Sequence, residues 1–234
     1  MVDRKRIDTI LQILKKSYPH AHVALNFMTP WELLVAVILA AQCTDVRVNI
    51  VTKTLFKKYP TLEHYLKVDL GEFEKDIRST GFYHNKAKNI LAAARLVQEK
   101  FSGTVPKTMD ELLTVPGVAR KTANVVLGNA YGVIDGIAVD THMIRLSQRL
   151  RLVEMDSIGG KVARTFTKSG KTITDFKKDA DPVKIEQGLM KVIPKYDWLT
   201  TTYHIVDHGR AICKAQNPDC AACMLRKLCP SSRV

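Results

Sequence analysis

Residues 112–124 read LLTVPGVARKTAN, and the rest of the chain is read outward from them. A short apolar helix predicted over 108–114 ends at Pro116-Gly117-Val118-Ala119. Proline cannot continue a helix, and glycine admits backbone angles closed to other residues. A second helix is predicted over 120–131. Two helices joined by so tight a turn present the first backbone N–H groups of the second one, and the helix dipole adds positive potential there. Such an end is suited to phosphate, and Gly117, lacking a Cβ, lets a phosphate approach the backbone closely. A plain junction between two helices has the same outline, so the turn alone does not define a site.

More chemistry follows the turn. Lys121 falls in the first turn of the second helix, where the dipole works against a cation. A half-buried ammonium beside that positive end is expected to have a lowered pKa. The neutral amine is a nucleophile whose natural product is a Schiff base; an exposed lysine contacting phosphate fits the same position. Downstream, Ile137-Ala138-Val139-Asp140-Thr141-His142 leads into a helix predicted over 140–150. Asp140 is a favoured N-cap. A capping carboxylate that also faces a cleft can stabilise developing positive charge or help activate a nucleophile.

Helical periodicity continues on both sides. Ile7, Ile10, Leu11 and Leu14 line one face of an opening helix that stops before Pro19. Thr29-Pro30-Trp31-Glu32 reads as an N-cap and a first-turn proline, opening an apolar helix through Ala41. Cys43, near the end of that helix, reads as a small core residue. Further helices are predicted over 45–58, 70–79, 84–101, 183–193 and 198–212. Strand-like runs bounded by turns are scarce, so the predicted class is all-α, with many short helices and short connections. One stretch stands apart. Residues 161–178, KVARTFTKSGKTITDFKK, hold six Lys/Arg and one Asp, with no clear period among the apolar positions. They read as a basic loop or a loosely packed insertion, either solvated or touching nucleic acid.

Composition narrows the function classes. The chain has 234 residues and 36 Lys+Arg against 23 Asp+Glu, a formal net charge of +13. That length holds one large or two small domains. A hydrophobic content of 46% with 25% charged residues excludes a disordered tail, a collagen-like fibre and a small disulfide scaffold. The longest apolar run, Leu33 to Ala41, covers nine residues, about half of what a membrane span needs, so no membrane partner is expected. The opening MVDRKRIDTI carries charge with no apolar run behind it, so no secretory signal is expected, and the expected location is a bacterial or archaeal cytoplasm with association to the nucleoid. The excess charge predicts a polyanion, nucleic acid ahead of an anionic membrane surface.

Four of the five cysteines fall within seventeen residues, at Cys213, Cys220, Cys223 and Cys229, in the pattern C-x6-C-x2-C-x5-C. Short loops let them converge on one centre at little entropic cost. Lys214, Arg226 and Lys227 would offset the charge of the thiolates. Zinc often uses two C-x2-C pairs, and this chain has one. Four thiolates, with Pro230 after the last, also suit a [4Fe–4S] cluster. The spacing leaves both metals open.

Taken in order, Ala41-Gln42-Cys43-Thr44-Asp45, VPGVARKTANVVL (residues 115–127), VDTH (139–142) and the cysteine pattern resemble the endonuclease III family of DNA glycosylase/AP lyases over nearly the whole chain. The resemblance implies two helical lobes with DNA in the cleft between them. One is a six-helix barrel with a helix-hairpin-helix motif over 22–132. The other is built from 1–21 plus 133–234 and carries a [4Fe–4S] cluster on Cys213, Cys220, Cys223 and Cys229. Lys121 matches the nucleophilic lysine of the family and Asp140 its catalytic aspartate. Gln42 matches the residue that fills the gap left by a flipped nucleotide. Phe82, in TGFYHNKA, falls where the family places an apolar wedge, with His84 beside it as a further DNA contact. An aromatic at that position suits either insertion between bases or a core. Gly117 and Ala119 match the positions whose amides hold phosphate. Many relatives carry a second glycine in place of Ala119, and alanine keeps the amide contact if its φ is negative. The implied partner is double-stranded DNA containing oxidised pyrimidines or abasic sites, bound by a monomer. Two rival readings are an adenine-mismatch glycosylase of the same superfamily, which typically lacks a lysine at the position of Lys121, and a non-catalytic iron–sulfur DNA-binding module, against which Lys121 with Asp140 argues. The resemblance assigns no role to residues 161–178.

Overall fold

Side-chain caps set where many of the helices begin. In the computed structural model, which describes residues 3–234, Asp3 accepts from the N–H of Arg6 at the head of α1 (Arg4–Ser17). Thr29 accepts from Glu32 before α2 (Pro30–Leu39), and Thr44 from Arg47 before α3 (Asp45–Lys58). Each bond satisfies a donor that the first helical turn leaves without an intrahelical partner. The chain continues through α4 (Leu62–Lys67), α5 (Leu70–Ile77), a 3₁₀ turn at Arg78–Thr80, α6 (Tyr83–Phe101), α7 (Met109–Leu113) and α8 (Arg120–Tyr131). It then runs through α9 (Thr141–Arg149), the strands β1 (Ala163–Lys168) and β2 (Lys171–Lys177), α10 (Pro182–Val192) and α11 (Trp198–Ala211). The fold is thus helical apart from one small sheet. Among the described residues, no helix is long and apolar enough to cross a membrane.

Three local expectations change. The second helix ends at Leu39 rather than Ala41, so Cys43 lies in the turn before α3, half-buried rather than in the core. Helix α4 has no counterpart among the predicted helices, because six residues are too few to display a period. The basic stretch is not a loop. It is an antiparallel hairpin pairing Phe166 with Ile173 and Lys168 with Lys171. Its two-residue turn, Ser169 at φ 50° and Gly170 at φ 75°, has the positive-φ pair that matches the twist of the strands. Thr165-Phe166-Thr167 and Thr172-Ile173-Thr174 alternate around Ser-Gly, a period-two signal hidden by the charges.

The chain divides into two compact units. Val23–Asp135 is built around α2, whose Leu33 to Leu39 are all buried. A helix apolar on every side belongs in the middle of its neighbours, and α3, α6 and α8 pack on it. Trp31, Tyr59, Tyr65 and Phe73 form an aromatic group at its edge, with Trp31 and Tyr65 edge-to-face at 5.2 Å. The second unit joins Met1–His22 to Gly136–Val234. Ile7, Ile10 and Leu14 of α1 meet Met143 and Leu146 of α9, Ile185 and Leu189 of α10, and Ile205 of α11. Each such buried side chain contributes about 1.5–3 kcal/mol relative to exposure. β2 packs against α9 with Phe176 buried.

Candidate active site and thiol centre

The α7–α8 junction is assembled from contacts close in sequence. The Thr108 hydroxyl accepts from the N–H of Glu111 at 3.4 Å and donates to its carboxylate at 2.7 Å. Thr114 N–H donates to Glu111 O, Val115 to Leu112 O and Val118 to Val115 O, all at 3.0–3.1 Å. Leu112, Val115 and Val118 are buried and anchor the turn from below. Gly117 is exposed at its tip with φ +81°, and a Cβ there would lie 3.0 Å from that of Asn89. Backbone angle and space both require glycine. Ala119 has φ −106° and ψ 171°, ordinary extended backbone, and gives α8 no side-chain cap. Lys121 is the second residue of α8 and is half-buried.

Asp140 is the N-cap of α9. Its Oδ1 accepts from Met143 N–H at 2.8 Å, and the side chain is half-buried. That bond fixes the orientation of the carboxylate through one of its oxygens.

Gln42 and Phe82 occupy turns. Gln42 is exposed at φ 53° in the turn after α2. Phe82 precedes α6 at φ 49° and is 63% exposed, which excludes the core reading of this ring. His84 is also exposed, with Nδ1 2.8 Å from Oε2 of Glu74 and its ring against Tyr83. The structure therefore gives His84 a carboxylate partner of its own.

Cys213, Cys220, Cys223 and Cys229 all line one small concavity, together with Leu146, Arg149, His208 and Arg226. Among the described residues, no three His, Cys, Asp or Glu side chains close on a point that could hold a single ion. Burial pushes the bare Cys229 thiol up to about 12 and raises that of Cys223. A thiolate ring here needs a cationic centre within it.

The cation that reaches a thiol is one that sequence reasoning missed. Lys214, Arg226 and Lys227 are exposed, whereas Arg149 is buried and its Nη1 donates to Cys213 Sγ at 3.3 Å and to Lys214 O at 2.8 Å. Its Nε and Nη2 pair with the two oxygens of Asp175 at 2.9 and 2.7 Å, with both side chains only 2% exposed. Asp175 belongs to β2, so the hairpin holds the arginine that holds the thiol loop. Arg164 donates to Ala215 O, and Lys168 to Ser232 O and Val234 O. Three of the six cations of the basic stretch thus bind carbonyls of this unit: Arg164, Lys168 and Lys177, the last through Met155 O. The signal in the sequence was the single acid within the basic stretch.

Comparison with known proteins gives a consistent answer. Residues 35–172 match a family profile described as HhH-GPD superfamily base excision DNA repair protein. The chain is 49% identical to an endonuclease III from Synechocystis sp., across 99% of this chain and 94% of that protein. It is 44% identical to one from Bacillus subtilis, across 98% and 94%. A solved structure described as a trapped endonuclease III–DNA covalent intermediate, an estranged-adenine complex, matches at a TM-score of 0.85 and 42% identity, covering 99% of this chain and 98% of that one.

Proposed function

The chain belongs to the endonuclease III family, within the HhH-GPD superfamily of base excision DNA repair proteins, and is on that premise a DNA glycosylase/AP lyase; we propose that Lys121 is its nucleophile and Asp140 the carboxylate that assists it. The lesion base leaves the stack first, because its C1′ is out of reach within the duplex. The Lys121 amine gives its lone pair to C1′. The C1′–base bond breaks, and the base departs with that electron pair and takes up a proton. Asp140 stabilises positive charge on the sugar and accepts the proton from the attacking nitrogen. Opening of the sugar ring leaves a Schiff base between C1′ and Lys121. The Schiff base acidifies the C2′–H, and loss of that proton expels the 3′ phosphate oxygen, nicking the strand 3′ to the lesion. Water then releases the sugar and restores the amine.

The remaining roles follow from position. Amides at Gly117 and Ala119 hold a backbone phosphate, and the negative φ of Ala119 leaves its N–H able to do so. Gln42 fills the gap, Phe82 wedges between bases, and His84 contacts the strand nearby. The substrate is duplex DNA carrying oxidised pyrimidines or abasic sites, bound by a monomer. Cys213, Cys220, Cys223 and Cys229 would hold a [4Fe–4S] cluster. A single zinc ion would draw the four sulfurs to within about 4 Å of one another; among the described residues no three of these side chains close on one point, which suits a polynuclear centre better. When bound, such a cluster ties the loop together through four Fe–S bonds.

The observation that carries this reading is the match along 99% of the chain to a trapped endonuclease III–DNA covalent intermediate, with a lysine at the second position of α8. Borohydride reduction in the presence of DNA containing thymine glycol or an abasic site should yield a covalent adduct, and Lys121→Ala should abolish it. An undiminished adduct in that variant would overturn the assignment.

A further inference from the structure

Gln42 and Phe82 sit on separate turns, and one buried lysine touches both turns. Each of the two residues is exposed and adopts a left-handed backbone without being glycine. Such conformations persist only where surrounding contacts impose them. Lys86, in the first turn of α6, is 4% exposed. Its Nζ donates at 2.8 Å to the carbonyl of Leu39, the last residue of α2, and at 2.8 Å to the carbonyl of Thr80. Leu39 stands three residues before Gln42, and Thr80 two residues before Phe82. Thr80 is itself buried, its hydroxyl donating to Ile77 O at 2.8 Å. The cation lies at the negative end of α2, where the dipole favours it. Burial nevertheless lowers the pKa of this ammonium. An apolar side chain would avoid that penalty but would take the donor from both carbonyls, so the charge at this position serves the link between the two segments rather than packing.

We propose that Lys86 is a positioning residue for base extrusion: by binding Leu39 O and Thr80 O together, it holds Gln42 and Phe82 in a fixed relation, so that gap-filling and wedging occur as one event. This rests on the reading of Gln42 and Phe82 as the residues that enter the duplex. Buried and bound to two carbonyls, Lys86 acts in this proposal through Gln42 and Phe82.

The test uses the full-length protein on two substrates. One is a duplex with thymine glycol opposite adenine, which requires extrusion. The other is a single strand with an abasic site, which requires none. Lys86→Met keeps the length of the side chain and removes both hydrogen bonds. Turnover of the duplex should fall about 10- to 100-fold, while borohydride trapping on the single strand changes by less than about threefold, since misplacement by an ångström costs on that scale. General loss of folded protein would lower both together, and equal losses, or an unaffected duplex reaction, would overturn the inference. Lys86→Gln, which retains one donor, should lie between wild type and Lys86→Met, and it carries the same comparison if Lys86→Met does not fold. Gln42→Ala and Phe82→Ala separate the two layers of the argument. If they leave duplex turnover intact, the reading beneath fails. If they reduce it and the Lys86 variants do not, only the role of Lys86 fails. Adding Lys86→Met to the Gln42→Ala, Phe82→Ala double variant should cost little more, because the lysine acts through those residues.

Discussion

The α7–α8 turn and the thiol loop each present a chemical group, and they hold it by opposite means. Thr108, Glu111, Leu112, Thr114, Val115 and Val118 lie within eleven residues and bond largely to one another. The segment carrying Cys213 to Cys229 has no helix or strand. It is held by Arg149, Arg145 and Arg164, which are 49 or more residues away and donate to its carbonyls or to a thiol. A locally closed turn survives the loss of distant contacts, whereas a loop held from outside does not.

Iron removal should break the contrast most openly. The protein as isolated is expected to be brown. Chelation should bleach it and remove amide protection from residues 213–229, while 108–131 keep theirs, as hydrogen exchange would show. Equal loss in both segments would mean that the turn is not autonomous, and a colourless protein with stoichiometric zinc would refute the cluster.

Asp175→Asn is the next largest effect. It leaves the Arg149 guanidinium buried without its counter-ion, a change costing about 3 kcal/mol or more. For a chain of this length that lowers Tm by roughly 6–12 °C, measurable by calorimetry, with faster bleaching in air. Adduct yield per folded molecule should be unchanged. If the variant melts like wild type, the hairpin is not the brace of the thiol loop.

Gly117→Ala acts on the other region. A residue with φ +81° and a Cβ 3.0 Å from Asn89 carries about 1–3 kcal/mol of strain. DNA affinity should fall with it while the visible absorption stays constant. Thr108→Ala is the mildest, costing about 1 kcal/mol as a lost cap and leaving iron content untouched. Either substitution disturbing the chromophore would show that the two regions are coupled.

These differences explain how far the sequence could be read. The helices over 45–58 and 120–131 have those same bounds in the structure. Thr29 and Asp140 cap the helices they were expected to cap. Caps, prolines and periodic apolar faces act within about one or two helical turns, so they can be read along the chain. The β-hairpin escaped because six cations obscured a short alternation. Its packing depends on Phe176 and Asp175 meeting α9, which is not written within 161–178. The apolar run before Cys43 points to a core position, but α2 ends two residues early and leaves it in a turn.

By itself the sequence determined the helical class, the glycine turn with Lys121 behind it, the capping aspartate and the clustering of four cysteines. Each is a property of residues near one another in the chain. Only the tertiary structure decided which cations are buried and bound. Among the 36 lysines and arginines, Arg149 and Lys86 look no different from the rest. They are set apart by burial and by carbonyls, a carboxylate and a thiol brought from distant segments. Burying a charge is unfavourable without such partners, and those partners exist only once the chain has folded.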